Sequence, residues 1–285
     1  FQKKQFMRKT IAALFIAFSI IACSNPKNEN KVGWQHFKTV KLEGVSPMGI
    51  AEISNTLWVS DGVGNRIVSI AENNDSIRIL DSFKRPMHIA TDGKYLFVPE
   101  FNANQVRITS GVDRSIIPVS DSLAGPSGVS VFENQMAVSY FKGNQVVFTN
   151  DGKNWLHIGK NAAKNDALNQ PTDVQITKDT IWVADGYNNR VQVYDKEGKL
   201  LNTIGEKENI NVAMGLYVSE KELFVTDFEN NRVLVYDHKG KLIQELSKDV
   251  SSPSDVYLRG ESLYILNYLA SSLVIYEKKN SSIEK

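Results

Sequence analysis

Three aspartates in this chain stand five residues before an arginine: Asp61 with Arg66, Asp185 with Arg190, and Asp227 with Arg232. Each pair brackets a tight corner, as in "DGYNNR" at residues 185–190. An acid and a guanidinium so placed can bond to each other across the turn as a charge-assisted brace. Alternatively, such acids form a ring that holds a cation on oxygen ligands. A second set has binding chemistry. His88, Glu100, Asp173 and Asp255 carry polar heads, and Phe101, Tyr140, Phe141 and Tyr268 offer aromatic faces for a small molecule or carbohydrate.

What positions these residues is a repeat. The corner recurs at Asp61, Glu100, Tyr140, Asp185, Asp227 and Asn267, at intervals of 39, 40, 45, 42 and 40 residues. A second marker precedes each by 14 residues without exception: Pro47, Pro86, Pro126, Pro171, Ala213 and Pro253. A period near 40 marks an array of supersecondary units. Each unit reads as four short strands rich in Val, Ile and aromatics, broken by Gly, Asn and Asp. Four antiparallel strands repeated radially make a β-propeller blade, so the sequence predicts an all-β, six-bladed ring. The sixth copy lacks a fourth strand, because little chain follows "SSLVIYEKK". Residues 34–44 precede the first marker, belong to no blade, and are expected to pair with blade 6 and close the ring.

The pattern "P-x-[G/D]-[V/I] … [L/I]-W-V-x-D-G-x-N-N-R-V" resembles the NHL repeat over residues 34–277, strongly in blades 1, 4 and 5. The resemblance implies a six-bladed propeller and leaves function open, since such propellers serve as scaffolds, binders and enzymes. Some related propellers are zinc-dependent amidating lyases with His directly after the marker. Here those positions are Met48, Met87, Ser127, Thr172, Met214 and Ser254, which argues against that chemistry. Lactonase-like propellers hold a divalent cation on central Glu, Asn and Asp, a role for which Glu100, Asp173, Asp255 and Asn267 would have to converge. His36, His88, His157 and His238 fall at unrelated repeat positions, so no histidine metal cluster and no cofactor is expected.

Within the repeat, Asp and Arg vary together. Glu100 pairs in position with Gln105, Tyr140 with Gln145, and Asn267 with Ser272. Joint loss points to the brace, so the acids of blades 1, 4 and 5 read as architecture. Function is then expected where copies differ, at His88, Glu100, Phe101, Tyr140, Phe141, Asp173, Asp255 and Tyr268, around the channel mouth on the face of the Asp turns. Trp58, Phe97, Trp182, Phe224 and Tyr264 are expected in the inter-blade core.

The N-terminus reads as an address. Met7 is the expected start, and residues 1–22 combine a basic beginning with an apolar run too short for a stable bilayer span. "IIAC" resembles a bacterial lipobox, which makes Cys23, the single cysteine, the expected lipidation site. Residues 23–33 follow as a polar tether and residues 278–285 form a tail. Without residues 1–22 the chain holds 29 basic and 32 acidic residues, a net −3, which gives no reason to expect a nucleic-acid partner. The expected setting is the bacterial cell envelope. There the chain would be a membrane-anchored binding module for a protein or glycan, with a metal-assisted hydrolase or lyase, or a structural envelope subunit, as alternatives.

Overall fold

The computed structural model describes residues 32–70, 77–111, 114–117, 123–159, 163 and 165–279. Cys23, the signal segment and most of the tether lie outside the described residues. Six four-stranded antiparallel sheets follow one another along the chain. Blade 4 is the simplest, with strands Asp173–Ile176, Ile181–Asp185, Arg190–Tyr194 and Leu200–Ile204 paired in order. All five residues of its second strand are buried. Neighbouring blades cover both faces of that strand, so it reads "IWVAD" rather than alternating with polar residues.

Blade 6 has Pro253–Arg259, Ser262–Asn267 and Ser272–Lys279, and its fourth strand is Gly33–Lys41 from the other end of the chain. The register runs from Gly33 opposite Lys279 to Lys41 opposite Ser272, with a bulge between His36 and Lys38. The closing strand also carries Trp34 into the core, where its ring meets Phe224 edge-on at 5.5 Å. Gln244 of blade 5 clasps the Trp34 backbone, accepting its N–H at 2.9 Å and donating to its carbonyl at 2.7 Å.

Cores form between blades. Trp182 and Val193 of blade 4 pack with Leu216 and Leu223 of blade 5, and Leu266 and Leu273 of blade 6 pack with Ile50 and Val59 of blade 1. Trp58, Phe97 and Phe224 are buried in the same way, whereas Tyr264 is only half-buried.

The recurring turn is a double staple. Asp61, Asp185 and Asp227 are buried, and their Oδ2 atoms accept from Arg66, Arg190 and Arg232 at 2.9, 2.8 and 2.7 Å. Their Oδ1 atoms accept the backbone N–H of Ser46, Asn169 and Asn211, just ahead of each marker. Glu100 does the same in blade 2, accepting from Lys84 N–H at 2.8 Å. Its cation is displaced: Gln105 stands where the arginine would be, and Arg107, two residues on, reaches Glu100 Oε1 at 2.9 Å and Oε2 at 3.1 Å. Blade 2 therefore keeps a brace that the paired positions alone do not reveal.

In blades 1 to 5 the asparagine four residues after the turn residue links neighbouring blades; blade 6 has Ser271 there. Asn65, Asn104, Asn144, Asn189 and Asn231 sit at φ between 50° and 58°. Their side-chain oxygens accept N–H groups of Arg85, Gly125, Gln170, Val212 and Ser252 in the next blade. Asn tolerates the left-handed conformation and supplies an acceptor as well, which suits it to this place.

Candidate functional site

Two residues after each marker, blades 1 to 6 carry Gly49, His88, Gly128, Asp173, Gly215 and Asp255. In a six-membered ring that alternation becomes three-fold, with one polar side chain on every second blade. The glycines are sterically required. A Cβ on Gly49 would stand 2.6 Å from His88 Cα, one on Gly128 2.8 Å from Asp173 Cα, and one on Gly215 2.6 Å from the Ser254 carbonyl oxygen. Each glycine lets the next blade bring its polar residue to the axis.

His88 arrives there through a break in its own sheet. Pro99, in the second strand of blade 2, has no N–H for the first strand, and regular pairing shrinks to Ala90–Thr91 with Leu96 and Phe97. The preceding residues lean onto blade 3, where His88 N–H donates to the Ser127 carbonyl at 3.0 Å.

His88 Nδ1 lies 3.5 Å from Asp255 Oδ2 and 4.0 Å from Asp173 Oδ2, and all three residues are buried. One ligand-capable atom from each lies within 4.8 Å of the others. Backbone amides hold the carboxylates. Asp173 accepts from Val174 at 2.8 Å and from Leu216 at 3.0 Å, and Asp255 from Val256 at 2.8 Å and from Ile50 at 2.9 Å. In both cases the second donor belongs to the next blade. Neither ring nitrogen of His88 has a hydrogen-bond partner.

Burial pushes Asp173 up to about 7 and the nearby Asp255 adds to the rise, against the opposing pull of His88 and of the Leu216 and Val174 amides. Burial alone would lower His88, but Asp173 and Asp255 outweigh it and raise its pKa above the ordinary value of 6.5. Both shifts have the same consequence. The folded chain keeps the Asp173 proton to about 7 whereas a free side chain loses it near 3.8, so folding takes up a proton in between. This stability contribution is full at the acid end of that window and is lost as pH rises through the folded value. Melting of the ligand-free protein should therefore fall between about pH 5 and pH 8, with a shallower slope in Asp173→Asn. A melting temperature that climbs across the window would contradict this.

The cluster bounds a cavity of about 160 Å³ lined by the first strands of all six blades. The cavity runs from the cluster toward the hairpins joining first and second strands, past Gln175, Tyr217 and Tyr257. The rings of Tyr217 and Tyr257 meet edge-on at 5.5 Å. At the other end, on the side of the Asp turns, Met48, Met87 and Phe101 form an apolar cluster backed by Phe141 and Tyr268. Those residues come from blades 6, 1, 2 and 3.

The expected site residues therefore separate. His88, Asp173 and Asp255 converge on the axis, deeper than the expected rim. Glu100 is fully buried in its ion pair with Arg107. Tyr140 is core, packed with Leu123, Val138 and Val147, where an Asp staple stands in other blades. Phe101 is buried between the cations of Arg85 and Lys142, each 4.9 Å from its ring centre. Phe141 and Tyr268 remain half-buried on the turn side, Phe141 meeting Tyr187 at 5.7 Å. Gln175, Tyr217 and Tyr257 were not among the expected residues. All three stand four residues after their markers, on the same strand face as the axis position.

Comparison with known proteins agrees with this architecture. The NHL repeat family matches residues 168–194. No curated protein sequence matches the chain. Among solved structures, a virginiamycin B lyase from Staphylococcus aureus is 13% identical with a TM-score of 0.62, over 86% of this chain and 99% of that one. A gluconolactonase from Xanthomonas campestris is 15% identical with a TM-score of 0.69, over 84% and 89%. A chain of a nidogen/laminin complex is 14% identical with a TM-score of 0.63, over 79% and 100%. Two enzymes and a protein-binding assembly thus share the architecture, and at these identities the likeness is one of fold alone. The chain is a six-bladed β-propeller carrying an NHL repeat at residues 168–194.

Proposed function

We propose that this propeller is an extracytoplasmic binding module, anchored through lipid on Cys23, that receives a small polar ligand in its central channel from the hairpin side. The observation that carries this reading is His88, buried between two carboxylates at the end of a cavity with both ring nitrogens unpartnered. A buried polar group without a partner costs stability, and a ligand that completes its bonding recovers that cost. The cavity lies below the roughly 300–1,000 Å³ common for drug-sized ligands, so it suits a small molecule or the terminal group of a larger glycan or peptide. Tyr217 and Tyr257 supply the aromatic wall. A panel of monosaccharides, sugar acids and small amines, screened by thermal shift, tests the reading. Hits should stabilise the wild type and fail to stabilise Tyr217→Ala/Tyr257→Ala. Hits that act equally on both would place binding outside the channel.

A second reading is a hydrolase or lyase in the same channel. It is favoured by the placing of Asp173 at the cavity end, 4.0 Å from His88 Nδ1, where burial raises its pKa and so suits it to general acid–base work. Turnover of a lactone or ester panel that disappears in Asp173→Asn would favour it over binding alone.

A further inference from the structure

We propose that His88, Asp173 and Asp255 form a seat for one first-row divalent cation, bound through His88 Nδ1 and one oxygen from each aspartate. The inference deepens the channel reading and rests on it.

The distances argue for a shared centre rather than a direct bond. At 3.5 and 4.0 Å, His88 Nδ1 is too far from either carboxylate for a good hydrogen bond. Ligands about 2.1 Å from a common metal lie roughly 3–3.4 Å apart at adjacent positions and ~4.2 Å apart across an octahedron. The observed separations fall near that range. The donor set fits as well. Imidazole with two carboxylates suits Mn, Fe, Co or Zn, whereas Mg and Ca favour oxygen alone, and no thiolate is present to select softer ions.

The burial of all three side chains around one point on the axis points the same way. The backbone prepares the ligands: Leu216 and Ile50 each donate one N–H to the Oδ2 that faces His88, fixing its direction while leaving lone pairs free. Three protein ligands leave coordination positions open, and the cavity past Tyr217 and Tyr257 gives access to them.

The experiment uses the full chain after EDTA treatment and dialysis. Titration calorimetry and thermal shift are run with ZnCl2, MnCl2, MgCl2 and CaCl2, and CoCl2 is followed by its visible spectrum. The expected result is one equivalent of Zn, Mn or Co bound, with a rise in melting temperature and weaker binding of Mg and Ca. His88→Ala and Asp255→Asn should each weaken Zn or Co binding by at least the ~100-fold that losing even an outer ligand partner can cost. If the variants fail to fold, cobalt bands on the wild type that report nitrogen-and-oxygen ligation, and their displacement by Zn, decide the matter. Absence of stoichiometric binding to folded wild type, or binding unchanged in folded His88→Ala, overturns the proposal. Organic ligands that stabilise the EDTA-treated protein while no cation binds would overturn the cation seat and leave the channel reading standing. Failure of both overturns the two together.

Discussion

Deleting residues 33–41 is expected to abolish cooperative folding, whereas deleting residues 24–31 should leave melting unchanged. The closing strand covers the outer edge of Ser272–Lys279, so its loss opens a full edge of blade 6 and breaks the ring. It also withdraws Trp34 from the core it shares with Phe224, Val235 and Ile265. Trp34→Ala on its own should cost about 3–5 kcal/mol. Urea melts of the two deletions make the comparison. Equal melting of both would show that closure by this strand contributes nothing.

The second large effect is expected at the staples. Asp185→Ala removes the acceptor for the Arg190 guanidinium, the Asn188 amide and the Asn169 backbone N–H at once. Asp185 is fully buried and Arg190 partly so, and removing one partner of a pair buried on one side should cost up to about 3–5 kcal/mol. An exposed ion pair would cost only ~0–1 kcal/mol. A double-mutant cycle of Asp185→Asn with Arg190→Gln should show a coupling of about 1–3 kcal/mol. Additivity would mean that the two residues do not act as a unit, despite the 2.8 Å contact.

The ring could be read from the chain because each blade spans a fixed distance between marker and turn, and the missing fourth strand had one candidate. The site was legible only in pieces. His88, Asp173 and Asp255 occupy one repeat position, alternating with glycine, but they lie 85 and 82 residues apart. Their convergence follows from ring closure, which joins alternate blades at the axis, and no local spacing encodes it. In the sequence Asp173 and Asp255 group with the oxygen donors Glu100 and Asn267, and His88 stands apart from them, although it shares their repeat position. The aromatic rim differs too. The sequence places Tyr140 and Phe101 around the channel mouth, yet Tyr140 packs in the hydrophobic core, and Phe101 lies among methionines. The paired positions hide the Arg107 brace because a cation two residues farther along a strand lies on the same face and reaches the same carboxylate.

If ligands enter the axial channel, as proposed, they should leave the face of the Asp turns free. The most direct measurement is a crystal structure of the protein soaked with the strongest hit from the sugar and amine panel. Ligand density is expected on the axis, in contact with Asp173 or Asp255 and beside Tyr217. Density on the turn side against Phe141, Tyr187 and Tyr268, with the channel unchanged, would contradict it.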